Sequence, residues 1–344
     1  MSLGGPEQER SDRRATLRDL GESGLLRRIF PLLPSGAHTL LGPGDDAAVV
    51  AAPDSRVVVT TDVMVEGRDF RRDWSTAQDV GAKAAAQNLA DIAAMGAVPT
   101  ALVVALVAPL DLDPDWATGL TEGLVEGCAG TGAGVVGGDL SRGAELMVAI
   151  TALGDLQDRT PVTRDGAAPG QVVAVAGVLG HSAAGLALLQ AGYGTRDMGA
   201  DAPSERTLSA LVAAHRRPAP PYAAGPAAAH AGATAMLDLS DGLVLDAGRL
   251  AGASGVLVEL DLAALSDDVA QLRDAATHVD ADAAAWVLGG GEDHGLLATF
   301  PADEPLPEGF RAIGRTTAVA AGEAPGVLVD GRPWRGSAGW DHFR

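Results

Sequence analysis

Segments with strand character alternate along this chain with segments of helical character, and this alternation limits the fold more than any other feature of the sequence. Short apolar segments rich in alanine, valine and leucine predict strands at 47–50, 57–61, 101–107, 146–153 and 235–239. Segments with helical periodicity lie between several of them. The order predicts an α/β fold of the mixed α+β kind, in which helices cover the faces of mixed sheets.

Helix ends and turns are marked by local signals. The segment 75–95 predicts a helix, with Ser75 and Gln78 as its capping box and Gly96 as the residue that closes the last turn. A short strand and then a turn are predicted where the double glycine of 137–139 occurs. These signals place the polar motifs at the ends of secondary-structure elements.

The length of the chain predicts two domains, because 344 residues exceed the size at which one hydrophobic core stops growing. The segment 155–170 is polar and contains two prolines and two glycines, which is typical of a connection between domains. We therefore expect an N-terminal domain at 19–158 and a C-terminal domain at 159–344. Residues 1–18 are polar and predict a mobile arm.

Charge and composition exclude several classes of partner. The formal net charge of −20 argues against nucleic acid and against anionic membranes, since both attract basic surfaces. No apolar segment approaches the roughly 20 residues that span a bilayer. The single cysteine, Cys128, permits no intramolecular disulfide and is interpreted as a core residue, which fits a cytoplasmic protein.

Six short runs combine aspartate with glycine or a turn-forming neighbour, and together they predict a metal and phosphate site. Carboxylate oxygens suit divalent cations such as Mg²⁺, and glycine lets the backbone approach phosphate closely. Each run alone also has a structural explanation as a turn or a strand end. The runs are GPGDDAAVV at 42–50, TTDVMVEG at 60–67, NLADIAAMG at 88–96, GGDLSRG at 137–143, LDLSDGL at 237–243 and GGGED at 289–293.

The run LDLSDGL is the most informative of the six. Asp238 ends an apolar strand, while Ser240 and Asp241 stand where the next helix is predicted to begin. Backbone N–H groups at a helix start attract anions. Helix capping accounts for Ser240 or Asp241, but not for both together with Asp238.

A polar stripe on the helix over 75–95 points to the same chemistry. Lys83, Gln87 and Asp91 are spaced by four residues and share one side of the helix. Asp91 lies among apolar residues, where an unpaired charge is costly, so a binding role and a structural role stay equally open for it. Lys83 is the only lysine, so arginine or metal ions must neutralise a nucleotide triphosphate.

Taken in order and with the terminal GWDHF, these motifs resemble those of the thiamine-monophosphate kinase family over about residues 20–344. That family is part of a wider group of ATP-binding enzymes that includes aminoimidazole ribonucleotide synthetase and selenophosphate synthetase. The resemblance implies a two-domain fold of the aminoimidazole ribonucleotide synthetase kind. Its N-terminal domain would form a β-barrel across a homodimer, and a C-terminal α/β domain would complete a cleft for ATP and several magnesium ions.

The resemblance also implies roles for individual residues. Glu292 and Trp340 would hold the thiamine part, since a carboxylate and an indole face both favour the cationic thiazolium. Asp69 stands where the family often has a histidine that faces the substrate phosphate, and Arg68, Arg71 or Arg72 could replace that contact. The implied magnesium ligands are Asp46, Thr60, Thr61, Asp62, Asp91, Asp139, Asp238 and Asp241, and the implied ATP contacts are Gly138, Asp139, Arg164 and Ser240.

The implied reaction is direct in-line transfer of the γ-phosphoryl group of ATP to thiamine monophosphate, which gives thiamine diphosphate. No general base is required, because a phosphomonoester with a second pKa near 6 is already largely deprotonated at pH 7. Asp62, Asp91 and Asp241 are expected to be the most critical groups. Three alternatives stay open: a metal-dependent phosphate-ester hydrolase, another ATP-using member of the same group, and a nucleotide-binding protein without activity.

Overall fold

The computed structural model describes residues 15–44, 47–193, 203–337 and 339. Within those residues, the helices are α1 (Leu17–Ile29), α2 (Ala77–Ala94), α3 (Pro114–Cys128), α4 (His181–Gln190), α5 (Pro203–Arg216), α6 (Ala224–His230), α7 (Leu243–Ser254), α8 (Ser266–Val279) and α9 (Ala283–Gly289). The strands are β1 (Thr39–Leu41), β2 (Val49–Val50), β3 (Val58–Val65), β4 (Val98–Ala108), β5 (Gly134–Arg142), β6 (Met147–Asp155), β7 (Val172–Ala176), β8 (Ala235–Asp238), β9 (Val256–Leu260), β10 (Leu296–Phe300), β11 (Phe310–Ala318), β12 (Gly326–Val329) and β13 (Arg332–Pro333).

The first half of the chain builds a four-stranded sheet in the order β3-β6-β4-β5, with α2 and α3 packed on one face. Only β4 and β5 pair in parallel. The two helices approach very closely, because a Cβ atom on Gly81 would lie 2.1 Å from the carbonyl oxygen of Leu120. Alanine and glycine on α2 and α3 therefore set how near the helices come to one another.

In the part of the chain that the structure describes, no helix packs on the other face of this sheet, and apolar side chains are exposed on it. Along β3, Val59 and Val63 are 62% and 48% exposed. Met64, which is part of the core, is buried. The period of two along the strand places Thr61 on the same side as these valines. Leu40 and Leu41 of the small β1-β2 ribbon are also exposed.

Several predicted boundaries in this half need correction. Helix α2 is capped by Thr76 and Asp79, not by Ser75 and Gln78, because the Thr76 hydroxyl accepts the Asp79 N–H and the Asp79 carboxylate accepts the Thr76 N–H. Gly96 does follow the helix with φ of 74°, as predicted. The turn predicted at the GGD motif is wrong, since β5 runs straight through it.

The reason that β5 contains glycine is its contact with β4. A Cβ atom on Gly138 would lie 1.8 Å from the carbonyl oxygen of Val104, its partner in the ladder, whereas a Cβ on Gly137 would meet nothing within 4 Å. The register shifts between Leu102 and Val103 at this point. Gly138 is thus required by strand packing.

The second half of the chain builds a seven-stranded sheet in the order β13-β12-β9-β11-β7-β10-β8. All pairings in it are antiparallel except that of β9 with β12. Its core contains fully buried side chains of α4, α7, α8 and α9 together with the central strands. A mixed α/β fold is therefore confirmed for this chain.

Two further predictions in the chain are modified by the structure. Strand β8 ends at Asp238, but α7 begins only at Leu243, so Ser240 and Asp241 lie in a connection before the helix and not at its first turn. The predicted mobile arm reaches into α1, where the N–H groups of Leu17 and Arg18 bond to the carbonyls of Leu112 and Leu110. Residues 1–14 lie outside the described part of the chain.

Helix α2 also joins the two sheets. Ala93 and Ala94 near its end pack in one apolar cluster with Met236 of β8 and Ala228 of α6. Gly225 permits this approach, because a Cβ there would lie 2.0 Å from the carbonyl oxygen of Ala93. The end of α2 is therefore placed beside β8. Among the described residues, no helix is long and apolar enough to cross a membrane.

Candidate active site

The end of α2 brings Asp91 against β3 and β8. The Thr60 hydroxyl of β3 donates a hydrogen bond of 2.7 Å to Oδ2 of Asp91. Burial, and after it the neighbouring carboxylates of Asp238 and Asp62, raise the pKa of Asp91 to about 7, against the Thr60 hydrogen bond and His294. Carboxylates from both halves of the chain therefore share one partly buried region.

Asp238 of β8 has a second neighbour in His294. The Nδ1 atom of His294 lies 3.1 Å from Oδ2 of Asp238. Burial favours the neutral ring, but the hydrogen bond and the charge of Asp238 outweigh it and raise the pKa of His294. The raised pKa favours the protonated form of this imidazole beside the aspartates.

The connection between β8 and α7 is organised by the buried carboxylate of Asp246. Its Oδ2 accepts the N–H groups of Asp241 and Gly242 at 3.0 and 3.1 Å. Its Oδ1 lies 2.6 Å from Nη1 of Arg249, and the same Nη1 lies 2.6 Å from Oδ2 of Asp241. Burial raises the pKa of Asp246 to about 6, and Asp238 adds to this rise, against the Asp241 N–H and Arg249. Asp246 and Arg249 together fix where the Asp241 carboxylate lies.

The GGGED loop lies directly beside this connection. The N–H of Glu292 donates to the carbonyl of Ser240 at 2.8 Å, and the N–H of His294 donates to the carbonyl of Leu239 at 3.1 Å. Gly291 is needed for the contact, since a Cβ there would lie 2.5 Å from the Ser240 oxygen. The two motifs thus form one hydrogen-bonded unit.

The backbone of this loop is held in an uncommon conformation. Glu292 and His294 have φ values of 64° and 53°, in the left-handed region that non-glycine residues seldom adopt. Between them, the buried Asp293 carboxylate accepts the N–H groups of Gly180 and Ser182 at the start of α4, at 2.5 and 2.7 Å. Burial raises the pKa of Asp293 to about 7, against these two hydrogen bonds. The anchors fix the strained residues in place.

Lys83 of α2 reaches across to the same loop. Its Nζ lies 2.9 Å from Oε1 of Glu292 and 3.3 Å from the carbonyl oxygen of Asp69. Nδ1 of His215 in α5 lies 3.5 Å from Oε2 of Glu292. Burial opposes the ionisation of Glu292, but Lys83 and His215 hold its pKa below the ordinary value. Burial and the charge of Lys83 lower the pKa of His215 to about 4.

Two nucleophile candidates do not form catalytic arrangements. Ser182 Oγ lies 2.9 Å from Nδ1 of His215, which is the same ring nitrogen that faces Glu292. A relay needs the serine and the carboxylate on opposite ring nitrogens, so this is not a serine triad. Burial raises the pKa of the Cys128 thiol to about 12, which agrees with its interpretation as a core residue.

The structure brings together only part of the predicted site. Thr60, Asp91 and Asp238 are neighbours, and Asp62 faces Asp91 closely enough to affect its pKa. Ser240 and Asp241 lie next to them in the connection to α7. Asp46 and Trp340, predicted as a metal ligand and a substrate contact, lie outside the described residues.

Four other predicted residues lie apart from this group. The Thr61 hydroxyl donates to the Ile150 carbonyl, on the face of β3 opposite to Thr60. Gly138 and Asp139 lie within the edge strand β5, and the register places Asp139 beside Ala105. Arg164 is exposed in the connection before β7, where its carbonyl accepts the Ser254 hydroxyl. Their predicted roles stay predictions.

The Asp69 side chain is engaged with its own loop. Its Oδ2 accepts the N–H of Val65 at 2.8 Å, which closes the turn after β3. An aspartate offers no donor to a phosphate. Nearby, Arg71 pairs with Asp73, and Arg72 pairs with Glu66 at 2.5 Å.

Sequence reasoning did not identify Asp246, Arg249 and His215 as parts of the site. Asp246 carried a detectable signal, because it is a single carboxylate on the apolar face of α7, five residues after Asp241. His215 carried none, since it approaches Glu292 only through the packing of α5 against the loop.

The donors near Asp91 have the chemistry that Mg²⁺ requires, since all are hard carboxylate or hydroxyl oxygens. In the described part of the chain, no group of three carboxylate, imidazole or thiol side chains is close enough to hold a metal ion by itself. Mg²⁺ is commonly held by one or two carboxylates together with phosphates of a nucleotide. The raised pKa of Asp91 among other aspartates also marks a region short of positive charge. The residues therefore fit a magnesium ion that arrives with its nucleotide.

Comparisons with known proteins find similarity along almost the whole chain. Residues 44–156 match the family model described as AIR synthase related protein, N-terminal domain. The chain is 48% identical over 328 residues to the thiamine-monophosphate kinase of Mycobacterium tuberculosis, which covers 95% of this chain and 93% of that protein.

Solved structures show the same similarity. The crystal structure of thiamine monophosphate kinase from Aquifex aeolicus matches with a TM-score of 0.71 and 31% identity, over 92% of this chain and 98% of that one. A structure described as AaThiL complexed with AMPPCP and TMP matches with a TM-score of 0.74 and 32% identity, over 95% of this chain and 98% of that one. This chain belongs to the thiamine-monophosphate kinase family.

Proposed function

We propose that this chain transfers the γ-phosphoryl group of ATP directly to the phosphate of thiamine monophosphate, with magnesium ions held at the aspartates between its two halves. The observation that carries the proposal is the meeting of Asp91 with Asp238 and Asp62 in a buried region, where burial first and then these two carboxylates raise the pKa of Asp91 to about 7. Carboxylates kept this close favour the binding of a cation. The ATP analogue and TMP bound by a relative of similar fold support the choice of substrates.

The groups that hold the nucleotide end come from both halves of the chain. Asp62 and Asp91 approach from β3 and α2, while Asp238 and Asp241 approach from β8 and its connection to α7. When bound, magnesium would neutralise the phosphates and keep the donor and acceptor oxygens in line. Arg249 holds the Asp241 carboxylate, at 2.6 Å, in the orientation required for this role.

The chain supplies positioning and charge at the acceptor end. Glu292 offers a carboxylate for the cationic ring of thiamine, and Trp340 offers an aromatic face. The acceptor phosphate needs no base to remove a proton, because its second pKa is near 6. This agrees with the finding that Ser182 and His215 do not form a nucleophile and base.

The proposal includes a homodimer and two domains, 19–158 and 159–344. The uncovered face of the β3-β6-β4-β5 sheet exposes Val59 and Val63, and apolar side chains exposed together on one sheet face are typical of an interaction site. A second copy that packs its own face against this one would bring two four-stranded sheets together as the two halves of a barrel. We therefore propose that this sheet face contacts the same face of a second chain.

The test is to incubate the purified protein with MgATP and thiamine monophosphate and to measure thiamine diphosphate by chromatography. Product that requires both substrates and disappears with a chelator supports the proposal. Release of inorganic phosphate from ATP without thiamine monophosphate would instead indicate a hydrolase. Nucleotide binding without turnover would indicate a binding protein.

The metal ligands are tested separately by Asp62→Asn and Asp241→Asn. Each is expected to lower kcat by about 100-fold, because each removes a charge that holds the cation. Unchanged activity in both variants would refute the assignment. A change in the Mg²⁺ concentration that gives half-maximal rate distinguishes loss of metal binding from loss of fold.

A further inference from the structure

Lys83 is the only lysine of the chain, and its side chain is 5% exposed. A lysine is seldom buried unless its charge is paired. Here the ammonium contacts Glu292 Oε1 at 2.9 Å and the carbonyl oxygen of Asp69 at 3.3 Å. It therefore connects α2 with the loop after β3 and with the GGGED loop of the other half.

The GGGED loop is assigned to the acceptor end in the proposed function, and the family resemblance assigns the loop after β3 to the phosphate of the same substrate. The Asp69 carboxylate is occupied by the Val65 N–H, and Arg71 and Arg72 pair with exposed carboxylates of their own loop. Lys83 is thus a buried cation located between the two loops. Its position is suited to set the charge and geometry of this end.

Glu292 depends on such a partner. Its backbone is held in the left-handed region, with φ of 64°, and its side chain is 39% exposed. The charged or titratable groups that face it are Lys83 from α2, His215 from α5 and His294 from its own loop. Charge-assisted hydrogen bonds are stronger and better oriented than neutral ones, so Lys83 decides where the carboxylate lies.

We propose that Lys83 is a positioning residue of the acceptor end, which orients the Glu292 carboxylate for the cationic ring of the acceptor and has no part in binding ATP. The inference rests on the proposed function. The proposal predicts that replacement of Lys83 changes the KM for thiamine monophosphate and not the KM for ATP. A lysine that merely joined the two halves would disturb both substrates, because the nucleotide site also lies between the halves.

The test compares Lys83→Met, Glu292→Gln and the double variant by steady-state kinetics with each substrate varied in turn. Lys83→Met is expected to raise the KM for thiamine monophosphate about tenfold and to leave the KM for ATP within about twofold. The double variant is expected to resemble Glu292→Gln alone, because the two residues act as one unit. Equal changes in both KM values, or effects that multiply in the double variant, would overturn the proposal.

Arg217→Met is the matched control. Arg217 also joins the two halves, through Glu126 of α3 and, at 3.9 Å, Asp79 of α2, but it does not contact Glu292. It is expected to leave the KM for thiamine monophosphate unchanged. The same acceptor-specific defect in this variant would show that Lys83 acts only as a connection between the halves.

A measurement on the unaltered protein is decisive if Lys83→Met does not fold. Labelling with ¹⁵N- and ¹³C-lysine gives signals from one residue only, so no assignment is needed. Thiamine monophosphate is expected to shift the side-chain signals of Lys83, whereas MgATP is expected to leave them in place. The reverse result would refute the proposal. Wild-type protein that makes no thiamine diphosphate, yet shows the acceptor-specific shift, would refute the proposed reaction and not the role of Lys83.

Discussion

Asp246 organises two other groups of the site from one buried carboxylate. One oxygen fixes the backbone of Asp241 and Gly242, and the other contacts Arg249. Outer groups of this kind typically change metal affinity or activity by about 10- to 100-fold when they are replaced. Its contribution to the site therefore comes through Asp241.

Asp246→Asn separates the hydrogen bonds to the backbone from the contact with Arg249. The amide oxygen still accepts the backbone N–H groups, but the amide nitrogen cannot accept from Arg249. We expect kcat to fall about tenfold and the requirement for Mg²⁺ to increase, as measured by initial rates over a range of MgATP and free Mg²⁺.

Asp268→Asn provides the control for this prediction. Asp268 is also a buried aspartate that pairs with an arginine, since it lies 2.5 Å from Arg311. It belongs to α8, which lies away from the site. Its replacement is expected to lower the unfolding midpoint and to leave kcat unchanged. Equal loss of kcat in both variants would show that the effect of Asp246 is one of stability alone.

His215 predicts a pH dependence of stability. Its pKa is lowered from 6.5 to about 4, so the unfolded chain binds a proton more readily than the folded chain between these values. Its contribution to stability is therefore fully present above about pH 6.5 and is lost as the pH falls toward 4. The expected slope is about 1.4 kcal/mol per pH unit for one proton.

His215→Gln isolates this contribution, because Asp91 and Asp293, with raised pKa values of about 7, act in the opposite direction over part of the same range. Urea unfolding at several pH values from 4.5 to 7.5 measures the slope in each protein. The variant is expected to lose less stability on acidification than the wild type. Parallel curves would show that His215 does not titrate differently in the folded state.

At the scale of the element, β5 offers a test of why the GGD motif contains glycine. Gly138→Ala places a Cβ 1.8 Å from the Val104 oxygen, and backbone cannot move away without breaking the ladder. We expect the free energy of unfolding to fall by about 2 kcal/mol or more, as measured by urea denaturation.

Gly137→Ala is the neighbour for comparison, since its Cβ would meet nothing within 4 Å. It is expected to change stability by less than about 1 kcal/mol. A Gly138→Ala protein that keeps its stability and loses only ATP binding would support a purely nucleotide-binding role for this glycine.

Local signals predicted the elements better than they predicted the ends of elements. Helix α2 was expected over 75–95 because its composition and Gly96 are local features, and it spans Ala77–Ala94. The turn expected at GGD was wrong because Gly138 is required by its contact with Val104 of the neighbouring strand, which is distant in the sequence. Asp238 and Asp91 were found from apolar context, whereas the approach of His215 to Glu292 depends on packing that no local pattern encodes.

At the scale of the whole molecule, the uncovered sheet face predicts self-association. Val59→Asp combined with Val63→Asp places two charges on the surface that is proposed to meet a second copy. We expect the wild type to sediment as a dimer and this variant as a monomer in analytical ultracentrifugation at micromolar concentration. At equal protein concentration, the midpoint temperature of unfolding is expected to be lower for this variant than for the wild type.

Val178→Asp controls for the addition of charge to an exposed valine. Val178 is 41% exposed but belongs to the connection after β7, in the other half of the chain. This variant is expected to remain dimeric. A wild-type protein that sediments as a monomer at all concentrations would contradict the proposed dimer.

The Ser240 carbonyl accepts the Glu292 N–H and the Leu239 carbonyl accepts the His294 N–H, so the connection after β8 and the GGGED loop cannot become ordered independently. A ligand that restrains one of them lowers the conformational entropy that the other still has to lose. If the nucleotide binds at the connection and the acceptor at the GGGED loop, as in the proposed function, their binding is linked even where they make no contact. By thermodynamic reciprocity, the factor by which the nucleotide tightens the Kd of the acceptor equals the factor by which the acceptor tightens the Kd of the nucleotide.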